Sequence, residues 1–398
     1  MIGTHTAAAD IKPRMLRSEF GWWFLGNGTW TLLRPEHVDA QGNIIERIDK
    51  FLIDAGAYTE PPTASEIFSL TVMTTTNCNL GCGYCYQNTA LDPTGGHRTV
   101  RIPKTRLNTE GIDRIFRFAQ AQVDAAGLKG IHLGLYGGEP LMNPQACLQL
   151  LDVGRATANV TSASMVSNGV LLKPRLAKQL SDAGLRHVQI TFDGCRADHD
   201  TIRVKRSGAP TFDIITNNLV AAGQVSDLRW NFRVNVSHHN FDRLNELFSD
   251  LDGFVDPTQC SIHFAWVGDN GFGYENTLNT NQNVADRFAD ITIQAIEAGY
   301  RLSRPSMARR CQTCSIAGGR YGAVIGPDGT VYSCWQSGGK PDMAVGNVDT
   351  GYTVPVSDSS RWVQCAYEYE HSDLQQQKVI QDTHDARVLD HIYKTGRL

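Results

Sequence analysis

Three cysteines within eight residues form the part of the sequence best suited to chemistry. Cys78, Cys82 and Cys85 follow residues 69–76, a run rich in β-branched side chains that predicts a strand. The thiols therefore share one loop at a strand end. Tetrahedral zinc usually recruits a fourth protein ligand, and thiolates bind iron–sulfur clusters as readily as zinc. A four-iron cluster held by three cysteines keeps one iron open, which predicts a reactive centre; a structural zinc loop is the alternative.

The cysteine spacing, the strand before it and the aromatic Tyr84 resemble the radical S-adenosylmethionine (SAM) superfamily. The resemblance implies that Cys78, Cys82 and Cys85 hold a catalytic [4Fe-4S] cluster and that Tyr84 lies beside bound SAM. In that family the reduced cluster donates an electron to SAM, which breaks into methionine and a 5′-deoxyadenosyl radical. The radical then takes a hydrogen atom from an unactivated carbon, and an interior lined by apolar strands would keep it from solvent.

Length and composition predict a soluble protein of two or three domains. The chain has 398 residues and a formal net charge of −4, which gives no indication of nucleic-acid or acidic membrane partners. No apolar run is long enough to cross a membrane, and residues 1–17 lack the apolar core of a signal peptide. We therefore expect a cytoplasmic protein whose ten cysteines serve as metal ligands more than as disulfides.

Predicted strands and helices alternate through the middle of the chain. The predicted strands are 69–76, 130–136, 163–166, 187–192, 231–236 and 261–266. The predicted helices are 108–126, 144–155, 172–183, 212–223, 241–251 and 284–298. This order predicts a parallel sheet with right-handed crossovers, and six units would make a partial (β/α)6 TIM-like barrel. Functional side chains are then expected on the loops after the strands.

The loops after the second and third strands carry candidate cofactor-binding residues. Gly137 and Gly138 let backbone approach a ligand closely, and Glu139 adds a carboxylate. The family resemblance implies that this motif binds the amino group of SAM. It also implies that Ser167 and Asn168 hydrogen-bond the SAM ribose or carboxylate; a simple turn is the alternative for each motif.

The fourth and fifth strands add four further candidates. Asp193 follows the fourth strand, and the resemblance to peptide-modifying members places it at the SAM or substrate face. Arg203, ten residues later, either pairs with a carboxylate or orders the loop. Arg233 and Asn235 lie on the fifth strand, and an arginine on a buried strand needs a partner. The SAM carboxylate and a structural ion pair are the two alternatives for Arg233.

Four late cysteines resemble the C-terminal region called SPASM, or its shorter twitch form. Cys311 and Cys314 precede a predicted hairpin that turns at 327–329, and Cys334 follows it. With Cys365 they suffice for one auxiliary [4Fe-4S] cluster. If Cys365 is not a ligand, that cluster has three protein ligands and an open iron; a zinc site is the other alternative.

These patterns predict four regions. Residues 1–64 form a small N-terminal cap and possible peptide-binding element, with two short strands and a helix, and 65–300 form the α/β partial barrel. Residues 301–365 form the SPASM/twitch-like domain, and 366–398 a C-terminal helix.

The predicted function is maturation of a ribosomal precursor peptide through an intramolecular cross-link, either a carbon–carbon cyclophane or a thioether. An external flavodoxin- or ferredoxin-like protein would supply electrons. The alternatives are a sulfatase-type formylglycine maturase, a small-alcohol dehydrogenase and, outside enzymes, an iron–sulfur electron carrier.

Overall fold

The computed structural model describes most of the chain, in segments. The described residues are 13–26, 30–58, 66–82, 84, 85, 87, 102–267, 276–278, 282–302, 318–362 and 372–397. Cys311, Cys314 and Cys365 lie outside them, as does part of the predicted N-terminal cap.

A small antiparallel sheet begins the described chain. It contains β1 (Arg14–Ser18), β2 (Gly21–Leu25) and β3 (Trp30–Leu33), in that order, followed by α1 (Glu46–Asp54). The sequence predicted β2, β3 and α1 but missed β1, because Met15 and Leu16 are adjacent and break the alternation that marks a strand.

Six consecutive parallel strands form the centre of the large sheet, as predicted. They are β4 (Ile67–Thr75), β5 (Gly130–Gly137), β6 (Val160–Ser167), β7 (His187–Phe192), β8 (Arg229–Val236) and β9 (Cys260–Trp266). The fold is therefore α/β with a mostly parallel central sheet, and the order is consistent with a partial barrel.

Helices follow the strands and cover one face of the sheet. They are α2 (Ile112–Ala126), α3 (Pro144–Thr157), α4 (Pro174–Asp182), α5 (Arg196–Ile202), α6 (Phe212–Gly223), α7 (Glu246–Leu251) and α8 (Gln282–Glu297). Their apolar side chains and alternate strand residues such as Leu133, Val188 and Phe232 form one buried core. The short α5 was not predicted.

The opposite face of the sheet, which we call the inner face, carries both polar and apolar side chains. Because side chains alternate along a strand, the neighbours of the core residues point to it. They include His132, Ser164, Gln189, Asn231 and Arg233, none of which is buried. Met73, Tyr136 and Val166 form an apolar cluster on the same face, and Met73 is fully buried. The lining is therefore mixed, whereas the sequence predicted an apolar one.

The large sheet continues on both sides of the six strands. On one side β10 (Arg301–Leu302) pairs with β9. On the other side β11 (Gly322–Ile325) pairs parallel with β4, and then come β12 (Thr330–Tyr332), β13 (Ala344–Asn347) and β14 (Gly351–Tyr352). The hairpin of β11 and β12 was predicted, but its pairing with β4 was not.

The long helix α9 (Ser372–Lys394) ends the described chain and contacts the N-terminal sheet. Arg14 of β1 donates to Asp382 at 2.6 Å and to Asp385 at 2.7 Å. The side chain of Asp385 is only 3% exposed, so the pair is largely buried. A helix of 366–398 was predicted, but its contact with β1 was not.

Replacing Arg14 with methionine should loosen this contact. Methionine keeps part of the side-chain volume but leaves Asp385 buried without its cation, which typically costs about 3–5 kcal/mol. The unfolding free energy, followed by tryptophan fluorescence in urea, should fall by about that amount. Arg17→Met on the same strand is the control, because Arg17 is exposed and exposed charges contribute little. Equal losses in the two variants would contradict the prediction.

No helix among the described residues is both long and apolar enough to cross a membrane.

Candidate functional site

The cysteine loop follows β4 and is attached to the segment after α5. The backbone N–H of Gly81 donates to the Val204 carbonyl at 3.0 Å, and that of Arg206 to the Asn79 carbonyl at 3.2 Å. The Arg206 side chain adds a bond to the Cys78 carbonyl at 2.8 Å. Two chain segments more than 100 residues apart therefore fix the loop that carries the thiols.

The three thiols lie close enough to influence one another. Burial, the Glu139 carboxylate and then Cys82 raise the pKa of Cys78. Burial also raises the pKa of Cys82 to about 11, against the lowering effect of Arg203. Cys78 and Cys82 therefore stay protonated at neutral pH, and a metal must displace their protons to bind.

Hydrogen-bond donors surround the sulfur of Cys78. The Leu80 backbone N–H lies 3.4 Å from Sγ, and the Asn168 amide lies 3.8 Å from it. Such N–H···S contacts stabilise thiolate ligands and tune clusters. In the described ranges no three His, Cys, Asp or Glu side chains gather tightly enough for a single metal ion. A four-iron cluster makes a different demand, because each thiolate binds its own iron, and these residues fit that group.

Gly137 and Gly138 bring the end of β5 against the start of the cysteine loop. The Gly138 N–H donates to the Thr75 carbonyl at 2.9 Å, and the Glu139 N–H donates to that of Asn77 at 2.8 Å. A Cβ on Gly138 would lie 2.5 Å from the Asn77 carbonyl oxygen. Gly137 has φ +141° and a Cβ there would lie 2.1 Å from the Thr75 oxygen. Here the glycines allow close approach to protein backbone.

Glu139 connects two of the predicted motifs. Its carboxylate is buried and accepts from Ser167 Oγ at 2.9 Å and from the Asn168 N–H at 2.7 Å. Burial raises its pKa, while these hydrogen bonds oppose the rise. The Asn168 side chain in turn donates to Asn79 of the cysteine loop at 2.8 Å. The structure therefore brings Glu139, Ser167 and Asn168 together beside Cys78.

Tyr84 joins the cysteine loop to the other predicted residues. Its hydroxyl donates to Asp193 Oδ2 at 2.6 Å and accepts from Arg203 at 2.7 Å and from Asn235 at 2.8 Å. Arg233 donates through Nε to Asn235 Oδ1 at 2.8 Å. Three residues placed by separate sequence motifs thus lie around one hydroxyl, and Arg233 is joined to them through Asn235.

Two polar atoms in this group have no hydrogen-bond partner among the described residues. Asp193 Oδ1 and Arg203 Nε are both buried, and neither meets a donor or acceptor in the part of the chain that the structure describes. A buried carboxylate oxygen and a buried guanidinium N–H without partners are costly. A small polar molecule beside Tyr84 would satisfy both, and SAM, which carries amine, carboxylate and hydroxyl groups, fits that requirement.

The sequence did not identify His199 and Thr211 as supports of the site. The Asp193 N–H donates to His199 Nδ1 at 3.4 Å, so His199 Nε2 carries the proton and faces Thr211 Oγ1 at 3.1 Å. Thr211 then donates to the Arg203 carbonyl at 2.5 Å. The only signal in the sequence was that His199 closely follows Asp193-Gly194, and this position did not specify a role.

His199 should make the protein less stable in mild acid. Burial and the charge of Arg203 lower its pKa well below the ordinary value of about 6.5. The folded state therefore binds fewer protons than the unfolded chain, and stability is lost as the pH falls below about 6.5 towards the folded pKa. Between pH 7 and 5.5 this group should cost about 1 kcal/mol of unfolding free energy.

His199→Gln should reduce the slope of unfolding free energy against pH, measured in urea at several pH values. His37→Gln, in the segment between β3 and α1, is the control and should keep the wild-type slope. The prediction is contradicted if both variants keep it.

The described part of the late cysteine group lies beside the inner face. Trp335, next to Cys334, donates to Thr71 Oγ1 at 3.1 Å and lies against Tyr136 with ring centroids 4.7 Å apart. Cys334 itself follows β12 and is partly exposed. Because Cys311, Cys314 and Cys365 are outside the described residues, the auxiliary cluster stays a prediction.

Comparison with known proteins agrees with the motifs. Residues 72–251 match the family model of the Radical SAM superfamily. Similar curated proteins include a GTP 3′,8-cyclase of Heliobacterium modesticaldum, 31% identical over 34% of this chain. Others are the radical SAM cyclopropyl synthase TigE of Paramaledivibacter caminithermalis, 24% identical over 70%, and the mycofactocin maturase MftC of Mycobacterium ulcerans, 26% over 65%. The chain spans only 37%, 59% and 65% of their respective lengths.

Solved structures agree on the fold. A structure of anSMEcpe with bound AdoMet has a TM-score of 0.52 at 14% identity, covering 77% of this chain and 82% of that one. Streptococcus suis SuiB has a TM-score of 0.51 at 13% identity, covering 89% and 90%. At these identities the likeness concerns the fold alone.

Proposed function

We propose that this protein, whose residues 72–251 match the family model of the Radical SAM superfamily, is a radical SAM enzyme that modifies a ribosomally made precursor peptide. The observation that carries the proposal is the convergence of Asp193, Arg203 and Asn235 on Tyr84 of the cysteine loop. This network connects the cysteine loop to the ends of the strands, so a molecule bound between the loop and the strand ends would contact both. The outcome we favour is an intramolecular cross-link, as a cyclophane or thioether.

The residues divide the work between them. Cys78, Cys82 and Cys85 hold the [4Fe-4S] cluster, and the Glu139 carboxylate can still accept a hydrogen bond from the SAM amino group. Asp193 Oδ1 would accept a hydrogen bond from a polar group of SAM, and the Arg203 Nε–H would donate one. When bound and reduced, the cluster supplies the electron that cleaves SAM to methionine and a 5′-deoxyadenosyl radical. The buried network around Tyr84 fixes the reacting groups in place, which is the protein's main contribution.

The late cysteines extend the proposal. Cys311, Cys314, Cys334 and Cys365 would hold one auxiliary [4Fe-4S] cluster, which would supply an acceptor for the electron left on the product. A flavodoxin- or ferredoxin-like protein would supply the electron for the catalytic cluster. The position of Cys334 near Trp335, Thr71 and the inner face supports this arrangement.

A peptide substrate has support and one serious competitor. The relatives named a mycofactocin maturase and a cyclopropyl synthase favour it, and anSMEcpe has also been solved with a peptide. The competitor is a nucleotide, since GTP 3′,8-cyclases are among the relatives. Formylglycine formation and oxidation of a small alcohol are further alternatives.

The test compares how much each substrate accelerates 5′-deoxyadenosine formation by the reduced, reconstituted protein. The additions are a synthetic peptide encoded by the short reading frame nearest the gene, GTP, and isopropanol. We expect only the peptide to accelerate the reaction, with a product whose mass falls by two hydrogens. Acceleration by GTP or by the alcohol alone would overturn the peptide assignment, and so would a full-rate reaction with none of the three.

A further inference from the structure

Arg233 presents a cation on the inner face of the sheet. Its strand neighbours Phe232 and Val234 are buried in the core, so its own side chain points away from the helices. In the sheet it lies opposite Thr191 of β7 and His263 of β9. Its Nε–H donates a hydrogen bond to Asn235 Oδ1, and this bond orients the guanidinium.

The Arg233 guanidinium lies close enough to act on the Asp193 carboxylate, but the two do not form an ion pair. Among the described residues no carboxylate lies within ion-pair distance of Arg233, although ion pairs form at Arg203 and Arg243 nearby. The structural ion pair considered from the sequence is therefore absent in the part of the chain that the structure describes. A half-buried guanidinium with unused N–H groups favours an anion from outside the chain.

His263 is placed to take part. Solvent reaches its side chain, yet surrounding protein and then the charge of Arg233 lower its pKa. Access to solvent together with a lowered pKa is expected of a side chain that lines a wide cavity. A neutral imidazole next to a guanidinium can add a hydrogen bond to an anion without adding charge.

We propose that Arg233 and His263 form a subsite for a carboxylate of the substrate. This proposal rests on the proposed function. The substrate is then a peptide with an acidic side chain or a free C-terminus close to the modified residue. Guanidinium and carboxylate match in geometry and can form two parallel charge-assisted hydrogen bonds. The subsite selects the segment of peptide that enters the barrel.

The depth of Arg233 favours the substrate over SAM as the source of that carboxylate. Asn235, two residues further along the same face, contacts Tyr84 of the cysteine loop. A strand rises about 3.3 Å per residue, so the Cα of Arg233 lies about 7 Å further from the cysteine loop along β8 than the Cα of Asn235. SAM has to reach the cysteine loop, where Arg203 already supplies a cation, whereas the substrate occupies the space beyond it.

The test measures binding of two small probes to the reconstituted holoenzyme with SAM present, by saturation-transfer NMR. N-acetyl-glutamyl amide carries one carboxylate, and N-acetyl-glutaminyl amide is its neutral match. We expect the wild type to bind the glutamyl probe at least tenfold more tightly. Arg233→Gln should remove the preference, and Arg233→Lys should keep part of it. Arg229→Gln, an exposed arginine on the same strand, should keep all of it.

The SAM dissociation constant of each variant, from equilibrium dialysis, completes the test. A change of less than twofold in Arg233→Gln supports the assignment to substrate. A tenfold rise, together with displacement of the glutamyl probe by SAM in the wild type, would assign Arg233 to SAM and overturn the proposal. Equal binding of the two probes would also overturn it. If Arg233→Gln does not fold, Arg233→Lys and the SAM competition decide. Failure of the wild type to cleave SAM counts against the proposed function alone, since probe binding is read separately.

Discussion

Changing Cys78, Cys82 and Cys85 together to alanine should remove one complete cluster and all SAM cleavage. The reconstituted variant should contain about four irons fewer than the wild type, because a four-iron cluster has no other ligands on this loop. Formation of 5′-deoxyadenosine should fall to the uncatalysed background. If the late cysteines hold the auxiliary cluster, about four irons should remain.

Cys260→Ala is the matched control for this variant. Cys260 is a fully buried cysteine at the start of β9, away from the cysteine loop. Its replacement should leave iron content and cleavage at wild-type values. An equal loss of iron in the control, or an unchanged iron content in the triple variant, would contradict the assignment of the loop as the cluster site.

Gly138→Ala should disable the site without touching a polar group. The new Cβ would lie 2.5 Å from the carbonyl oxygens of Thr76 and Asn77, so one of the two backbones must move. Asn77 directly precedes Cys78, so a shift of the Asn77 backbone displaces the thiols of the cysteine loop. A displacement of about 1 Å in such a site costs about 100-fold in rate, and overpacking typically costs about 1–3 kcal/mol of stability.

The measurements for Gly138→Ala are iron per chain, the rate of 5′-deoxyadenosine formation and the urea midpoint. Gly223→Ala is the control, because an added Cβ at the end of α6 meets no atom within 4 Å. It should keep the wild-type rate, with stability unchanged or slightly raised. A wild-type rate in Gly138→Ala would show that the glycine does not govern the approach of β5 to the loop.

Local patterns predicted the six central strands closely. Each combines a β-branched or apolar run with a bounding turn, and each is buried on the helix side, so local preference and tertiary packing agree. The loop residues Glu139, Ser167 and Asp193 were found by their position after strands and by resemblance to a family. Periodicity alone would not have distinguished them from turn residues.

Features set by contacts between distant segments could not be predicted. The pairing of β11 with β4 joins residues about 250 positions apart, and nothing local to either strand specifies it. The same holds for Arg14 with α9 and for Arg206 with the Cys78 carbonyl. The mixed character of the inner face was not predicted, because side chains alternate along each strand and the two faces of the sheet therefore differ in composition.

The most direct test of the central claim is product analysis of the reconstituted wild-type protein, reduced under anaerobic conditions and given SAM. We expect 5′-deoxyadenosine and methionine to form in equal amounts and only when the reductant is present. If the protein carries its full iron content and binds SAM, yet leaves SAM intact under every condition, it is not a radical SAM enzyme, and an iron–sulfur electron carrier is favoured.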